Sequence, residues 1–199
     1  MNNYPITIKN LINCFKKLPG IGEKNAERLA LSILSMDNDD VNLFSESLLN
    51  MKTKIKRCAN CGYYSEENLC TICNDTSREK NTICVVENPK NVALFEKMGS
   101  YRGLYHVLDG LISPLDGINP EDINIDSLVE RIKKDDIKEI IIAVKPTIEG
   151  ETTSLYISKI LQGMNVKITK IAHGIPLGTD MEYIDSMTLE LAIADRSEI

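Results

Sequence analysis

The stretch CANCGYYSEENLCTIC, residues 58–73, contains two Cys-x2-Cys pairs separated by eight residues. Each pair forms a tight knuckle that directs two thiolates at one centre, and two such pairs make a closed tetrahedral site suited to Zn²⁺. Because four protein ligands leave no open coordination position, this zinc is expected to be structural, with one ion per chain. The predicted ligands are Cys58, Cys61, Cys70 and Cys73.

The spacing leaves two alternatives open, an iron–sulfur cluster and four free thiols. The eight-residue gap is short for a zinc finger that presents a helix to a DNA groove. A small module that cross-links the chain through its metal ion is therefore expected. The other cysteines, Cys14 and Cys84, lie in apolar runs and are expected to be small core residues. The sequence contains neither a signal-peptide h-region nor a run of about 18 apolar residues, which predicts a cytoplasmic protein without a membrane span.

On the N-terminal side of the cysteines, apolar residues recur at helical spacing. This pattern predicts a first helix over residues 6–17 and a second over residues 23–36. The acidic cluster DNDD, residues 37–40, is expected to break the second helix, and a third helix is expected to follow it up to residue 55.

The segment LPGIG, residues 18–22, joins the first two helices and has the apolar-x-Gly-apolar-Gly pattern of a helix-hairpin-helix turn. Gly20 and Gly22 permit positive φ and a close approach to a phosphate, which the N–H groups of the next helix then bind. Lys24 and Arg28 lie one turn apart on that helix, so both can reach neighbouring phosphates. These four residues are the predicted DNA contacts and read no bases. The alternative is a plain glycine turn between two core helices.

The charge distribution agrees with a local phosphate site. The net charge is −6, yet residues 1–57 carry nine basic and six acidic residues, and the remaining chain carries fourteen and twenty-three. We expect a modestly basic N-terminal part on an acidic body, with random scatter of charge as the alternative. DNA binding should then be weak and salt-sensitive unless several copies act together.

On the C-terminal side of the cysteines, a polar link at residues 74–81 leads into apolar strands that alternate with helices. Alternation of this kind predicts a mostly parallel sheet with helices on both faces. The predicted class is therefore a multi-part α/β protein with four parts: helical residues 1–57, the cysteine module 58–78, the sheet domain 79–174 and a C-terminal helical segment 175–199.

Acidic residues at strand ends are the remaining candidates for chemistry. Glu87 closes the first strand, and the strand that ends at Val144 leads into KPTIEGETT with Lys145, Thr147 and Glu149. A Mg²⁺-dependent phosphoryl-transfer site would need a second carboxylate cluster close to Glu87. A loop that is solvated or forms an interface is therefore favoured here. Neither His106 nor His173 has a partner pattern for nucleophilic catalysis.

Taken in order, these parts resemble the RecR family of bacterial recombination mediators. LPGIGEKNAERLA resembles its helix-hairpin-helix, CANCGYYSEENLCTIC its zinc module, and IIIAVKPTIEGETTSLYI part of its Toprim domain. The resemblance implies a ring-shaped tetramer, built by exchange of N- and C-terminal elements, that acts as a DNA clamp. It also implies partnership with RecO and RecF in loading recombinase at single-strand gaps. On this reading Lys24 and Arg28 contact DNA and the four cysteines hold zinc.

Catalytic Toprim domains, as in topoisomerases and primases, use a Glu on the first strand and an Asp-x-Asp on a later one. This sequence keeps Glu87 but has Lys145-Pro146-Thr147 in the second place. The family is regarded as non-catalytic, so a Toprim-type nuclease or primase is the less favoured alternative, and Glu87 and Glu149 are read as a Toprim remnant or partner surface. The family usually has Asp where this chain has Asn91 and Asn where it has Lys145, which argues against Mg²⁺ and makes Lys145 a candidate phosphate contact. A hairpin-containing repair glycosylase is rejected, because too few residues precede the hairpin.

Overall fold

A computed structural model describes residues 3–172, 174–175, 178–194 and 196. The chain divides into two compact units, Met1–Ile55 and Lys56–Ile199. His173, considered above, lies outside the described residues. No helix within the described residues is long and apolar enough to cross a membrane.

The first unit consists of three helices, α1 (Ile6–Phe15), α2 (Glu23–Ile33) and α3 (Asn38–Lys54). Its core joins α1 to α2, and the small side chains of Ala26 and Ala30 allow the two helices to approach closely. The residues of this core, buried or partly buried, are Tyr4, Ile8, Leu11, Ile12, Phe15, Ile21, Ala26 and Ala30.

Two sequence expectations for this unit are corrected. The acidic cluster, expected to end the second helix, forms the start of the third. Asp37 directly precedes α3, and Asp39 and Asp40 lie in its first turn, where the positive end of the helix dipole stabilises carboxylates. Cys14 is exposed and not a core residue. It follows the buried Ile12 by two residues, which places it about 200° around the helix from the buried face.

The second unit contains a four-stranded parallel sheet with strand order β4-β3-β5-β6. Its strands are β3 (Thr82–Val86), β4 (Leu104–Val107), β5 (Glu139–Ala143) and β6 (Lys167–Lys170), and its helices are α5 (Pro89–Met98), α6 (Ile125–Lys134) and α7 (Ile148–Ile160). A short ribbon, β1 (Lys56–Arg57) with β2 (Tyr64–Ser65), and α4 (Thr71–Asn74) belong to the cysteine module, and α8 (Ser186–Ala194) lies near the C-terminus. The predicted multi-part α/β fold is confirmed.

The alternation of side chains along the strands separates two apolar layers. Ile83 and Val85 of β3 face a layer that contains residues of α6 and α7, whereas Cys84 and Val86 face the opposite layer. That opposite layer contains Val92 of α5 together with cysteines of the module. The cysteine module thus covers one face of the sheet, and Cys84 is a core residue, as predicted.

β4 is an edge strand, and other parts of the unit satisfy its outer polar groups. The N–H of Val107 donates to the carbonyl of Cys61 at 2.8 Å, and Nη1 of Arg131 donates to the carbonyl of Tyr105 at 2.6 Å. Gly62 has φ +75°, and a Cβ at this position would lie 3.2 Å from Cβ of Val107. Glycine therefore allows the first knuckle to lie directly against the edge of the sheet.

The polar link after the module is also fixed to the sheet domain. The guanidinium of Arg78 is 7% exposed and forms ion pairs with Glu96 of α5 and with Asp75. Its Nη1 also donates to the carbonyl of Gly103 at 3.1 Å, while the hydroxyl of Tyr105 donates to Glu96 at 2.8 Å. Because this buried charge has partners on several sides, loss of any one of them would be costly.

Candidate DNA-binding and zinc sites

The predicted hairpin turn forms between α1 and α2. Gly20 has φ +79°, and the N–H of Ile21 donates to the carbonyl of Leu18 at 3.2 Å. Gly22 has an extended backbone, with φ −84° and ψ 174°, and directly precedes α2. Positive φ therefore explains why residue 20 is glycine, but it does not explain Gly22. A glycine at position 22 needs another reason, such as space for a ligand beside the backbone.

The N-terminus of α2 presents free backbone donors. No side chain caps this end, and among the described residues the N–H groups of Glu23, Lys24 and Asn25 have no hydrogen-bond partner. A Cβ added to Gly22 would meet no described atom within 4 Å, so the space beside these donors is open. An anion is the ligand that such a helix end favours, because the amides and the helix dipole both attract it.

Lys24 and Arg28 are both exposed on α2. Within the described residues neither forms an ion pair, whereas Lys16, at the end of α1, pairs with Glu23 across the turn. Two unneutralised cations one helical turn apart, beside free amides, can bind successive phosphates of a nucleic-acid backbone. Gly20 and Gly22 therefore lie in the turn, Lys24 lies in the first turn of α2, and Arg28 follows one helical turn further along.

The four cysteines of the module converge on one centre. Their sulfur atoms all lie within 4.8 Å of one another, and Sγ of Cys61 and Sγ of Cys70 are 3.6 Å apart. Cys58, Cys61 and Cys70 are buried, and Cys73 is partly buried. This convergence and the donor set of four sulfurs fit a tetrahedral zinc ion without an open position.

Backbone donors around the centre favour thiolates. The N–H of Cys70 donates to Sγ of Cys58 at 3.3 Å, and the N–H of Cys73 donates to Sγ of Cys70 at 3.4 Å. The pKa of Cys70 is lowered, chiefly by its hydrogen bond with the thiol of Cys61 and then by that with Cys73. The same contact with Cys70 raises the pKa of Cys61. A bound zinc ion would take the place of the shared protons, since Cys58, Cys61, Cys70 and Cys73 would then all be thiolate ligands.

The polar groups at the carboxyl edge of the sheet are arranged differently from those of the hairpin. Glu87 follows β3, and its Oε1 lies 3.5 Å from Nζ of Lys145, which follows the neighbouring strand β5. Thr147 precedes α7 and accepts a hydrogen bond from the N–H of Gly150 at 3.3 Å. A side-chain hydrogen bond with Thr147 lowers the pKa of Glu149. Among the described residues, the four cysteines are the one group of three or more His, Cys, Asp or Glu side chains arranged to hold a metal ion, so Glu87 and Glu149 belong to no such group.

Two features of these sites were not anticipated from the sequence. The ion pair of Lys145 with Glu87 forms because β3 and β5 are neighbours in the sheet, although β4 lies between them in sequence. The ion pair of Lys16 with Glu23 could have been inferred, because opposite charges flank a predicted tight turn.

The hairpin turn, the four-cysteine centre and the parallel sheet define a multi-part α/β protein with a helix-hairpin-helix and a zinc module. Family models match four successive parts of the chain: the RecR helix-hairpin-helix at residues 8–52, the RecR zinc finger domain of the four-cysteine type at 55–75, the Toprim domain at 81–172, and the RecR C-terminal part at 174–197. This chain belongs to the RecR family of recombination proteins.

Full-length relatives support the assignment. "Recombination protein RecR" of Staphylococcus aureus strain MRSA252 is 50% identical over 197 residues, which cover 99% of this chain and 100% of the relative. The proteins of the same name from strains JH9 and Newman are each 49% identical with the same coverage. The predicted family is confirmed, and the four-cysteine cluster together with the zinc-finger match confirms zinc as the cofactor.

Proposed function

We propose that this chain is a non-catalytic DNA clamp in recombinational repair, which helps RecO and RecF to load recombinase at single-strand gaps. Membership of the RecR family supports a role in recombinational repair, while the two named partners rest on family resemblance. The observation that carries the clamp is the hairpin end, where Lys24 and Arg28 are free of ion pairs with described residues and adjoin unbonded amides. Such a protein acts in the cytoplasm, at the nucleoid.

The hairpin binds the DNA backbone and not its bases. Free N–H groups of the first turn of α2 donate to one phosphate, and Lys24 and Arg28 neutralise it and the next. Contacts of this kind are independent of sequence and release counterions, so affinity falls steeply as salt rises. A single hairpin therefore provides only a weak hold.

Several hairpins acting together supply the missing affinity. In a ring-shaped tetramer four hairpins meet the same DNA at high effective concentration, and encirclement slows release. Exposed apolar faces support self-association. No residue of α3 is buried, although Phe44, Leu48 and Met51 recur along one side of it, and Met187 and Ile193 of α8 are exposed as well. A second copy of this chain is the partner that such faces fit.

The sheet edge supports a binding role over an enzymatic one. A Toprim nuclease or primase would be expected to hold a divalent cation with several carboxylates, yet Glu87 pairs with Lys145. The match to a Toprim domain favours the enzyme as a second candidate and predicts metal-dependent turnover. We assign Glu87 and Glu149 to a surface for protein partners.

The four parts then have separate tasks. Residues 1–57 contact DNA, residues 58–78 bind zinc, the Toprim domain at 79–174 offers the partner surface, and residues 175–199 take part in exchange between subunits.

Fluorescence anisotropy of labelled single-stranded, duplex and gapped DNA, titrated with salt in the presence of Mg²⁺, tests the proposal. Lys24→Ala/Arg28→Ala should lose affinity and flatten the salt dependence, by roughly two phosphate contacts per hairpin engaged. Lys133→Ala/Lys134→Ala removes the same charge from exposed positions of α6 and should bind as the wild type does. Full affinity in the hairpin variant would move the DNA site elsewhere. Cleaved or extended DNA, lost in Glu87→Gln, would establish the enzyme.

A further inference from the structure

The carboxyl edge of the Toprim sheet contains an ion pair between a lysine and a glutamate. Glu87 and Lys145 follow the adjacent parallel strands β3 and β5, with 3.5 Å between Nζ and Oε1. The side chain of Glu87 is 24% exposed and that of Lys145 is 50% exposed, so the carboxylate side chain is partly buried while the lysine side chain is exposed to solvent.

The backbone holds Lys145 at this position. A Cβ added to Gly150 would lie only 1.9 Å from the carbonyl oxygen of Lys145, so the first turn of α7 packs directly against that peptide. The N–H of Thr147 also donates to the same carbonyl at 2.9 Å. The base of the lysine side chain is therefore fixed where the strand leads into the helix, and its ammonium group is kept within reach of Glu87.

A divalent cation of the Toprim type does not fit the residues present. Hard cations require several oxygen ligands, preferably carboxylates. Position 145 offers an ammonium group, and the hydroxyl of Thr147 already accepts from Gly150. The side-chain oxygen of Asn91 accepts from the N–H of Asn88 at 3.1 Å, so it serves the start of α5 instead. Among the residues singled out from the sequence, the carboxylates of Glu87 and Glu149 remain, and the ammonium group of Lys145 acts on both: it pairs with Glu87 and helps to lower the pKa of Glu149. This positive charge repels a metal ion from the edge.

We propose that the ammonium group of Lys145 takes the place of the divalent cation in this chain, as a permanent counter-ion of Glu87. The sheet edge keeps its electrostatic balance at any Mg²⁺ concentration. Replacing Lys145 and Thr147 by aspartates should reopen the edge to a divalent ion. The ion pair lies at the sheet edge and not in the hairpin. A metal-binding result at the edge therefore leaves the proposed DNA clamp unaffected, and a failure of DNA binding leaves the ion pair unaffected.

Binding of Mn²⁺ to the zinc-loaded full chain tests this directly, because free Mn²⁺ is counted by its electron paramagnetic resonance signal. Lys145→Asp/Thr147→Asp should bind Mn²⁺ at least ~10-fold more tightly than the wild type, and adding Glu87→Gln should remove the gain. Asp also caps helix N-termini well, so position 147 keeps its role at α7. A Glu87-dependent Mn²⁺ site in the wild type would overturn the proposal, and so would a folded double variant without any gain.

A double-mutant cycle with Lys145→Met and Glu87→Gln gives a second test that does not need the aspartate variant to fold. If the two side chains are counter-ions, each single variant loses the ion pair, whereas the double variant loses it only once. The unfolding constant of the double variant should therefore be about twofold to fivefold lower than the value obtained by multiplying the two single effects. This range is small because the lysine is half-exposed. The difference should shrink in high salt. Additive effects at low salt would show that Lys145 does not neutralise Glu87 and would overturn the proposal.

Discussion

The two units of the chain bury their apolar residues to very different extents. Among the described residues of the first unit only Ile12, Ala26 and Ala30 are buried, and α3 contributes nothing to that core. In the second unit, the sheet separates two buried layers, one of which also includes three of the four zinc-site cysteines. The first unit therefore has little buried apolar surface to stabilise it, whereas the second has an extensive core of its own.

Their charges differ in the same way. Lys24 and Arg28 of the hairpin have no ion-pair partner among the described residues, while Lys145 and Arg78 of the second unit are paired. Free cations are useful where a ligand is to supply the missing charge, and paired ones serve the fold. The contrast is the one expected if the hairpin end binds phosphate, as proposed.

Loss of zinc should have the largest effect and should be confined to the second unit. Cys70→Ser removes one of four ligands, and structural zinc contributes on the order of 10 kcal/mol to small zinc folds. We expect zinc content to fall well below one ion per chain and the thermal midpoint to drop sharply, as measured by a colorimetric zinc assay and circular dichroism. Cys14→Ser, at an exposed cysteine, is the control and should retain both values. Unchanged melting after complete zinc removal would contradict the structural role.

Charges on the apolar face of α3 should disrupt assembly through the first unit. Phe44→Asp/Leu48→Asp places carboxylates where a second copy is proposed to pack, and burial of two such side chains contributes about 3–6 kcal/mol. Sedimentation velocity should show a smaller species than the wild type. Asn42→Asp/Thr53→Asp adds the same charge to the opposite face of α3 and should leave the mass unchanged. Equal masses for all three proteins would mean that this face is not an interface.

His106 should make the second unit sensitive to acid. Burial lowers the pKa of His106 to about 4; its Nε2–H donates to the carbonyl of Asn124 at 2.8 Å, while its buried Nδ1 has no partner among the described residues. Between pH 6.5 and 4 the unfolded state therefore binds a proton that the folded state does not. Stability is full above pH 6.5 and falls by about 3 kcal/mol towards pH 4.

Urea unfolding at pH 7 and pH 4.5, with zinc content checked at each pH, measures this effect. His106→Gln keeps a donor for the carbonyl of Asn124 but cannot be protonated, so the loss of stability between the two pH values should be smaller in this variant. An identical loss in both proteins would assign the acid sensitivity to other groups.

Substitution of the two hairpin glycines should have the smallest effects, and the two positions should differ in what changes: stability at Gly20 and DNA affinity at Gly22. Gly20→Ala forces a side chain into positive φ and should cost about 1 kcal/mol of stability. Gly22→Ser fits the extended backbone and caps α2, so stability should hold. Its hydroxyl occupies the amides offered to a phosphate, so DNA affinity should fall. Thermal melts paired with anisotropy separate the two effects, and a Gly22→Ser variant with full affinity would place the phosphate elsewhere.

Much of the architecture could be predicted because it follows from local pattern. The spacing of Cys58, Cys61, Cys70 and Cys73 defines a single centre, and LPGIG defines the turn, without knowledge of the rest of the chain. Strands such as EIIIA read as buried because a parallel sheet covered on both faces requires apolar residues at successive positions.

The errors and omissions arose where the answer depends on neighbours distant in sequence. Cys14 lies in an apolar run, but a core of two helices buries only a narrow stripe and leaves it exposed. Arg131 and His106 are buried because α6 and β4 meet, and no local pattern marks them. The partner of Glu87 follows from the order of the strands.

The contact between the first cysteine knuckle and β4 has a consequence for handling and for oxidative stress. The carbonyl of Cys61 holds the N–H of Val107, and this bond lasts only while the knuckle keeps its shape. When chelation or thiol oxidation expels the metal, the N–H of Val107 on this edge strand is expected to lose its partner and to become available to strands of other molecules. Metal loss in this protein should therefore lead to aggregation, and the zinc ion acts as a safeguard of solubility.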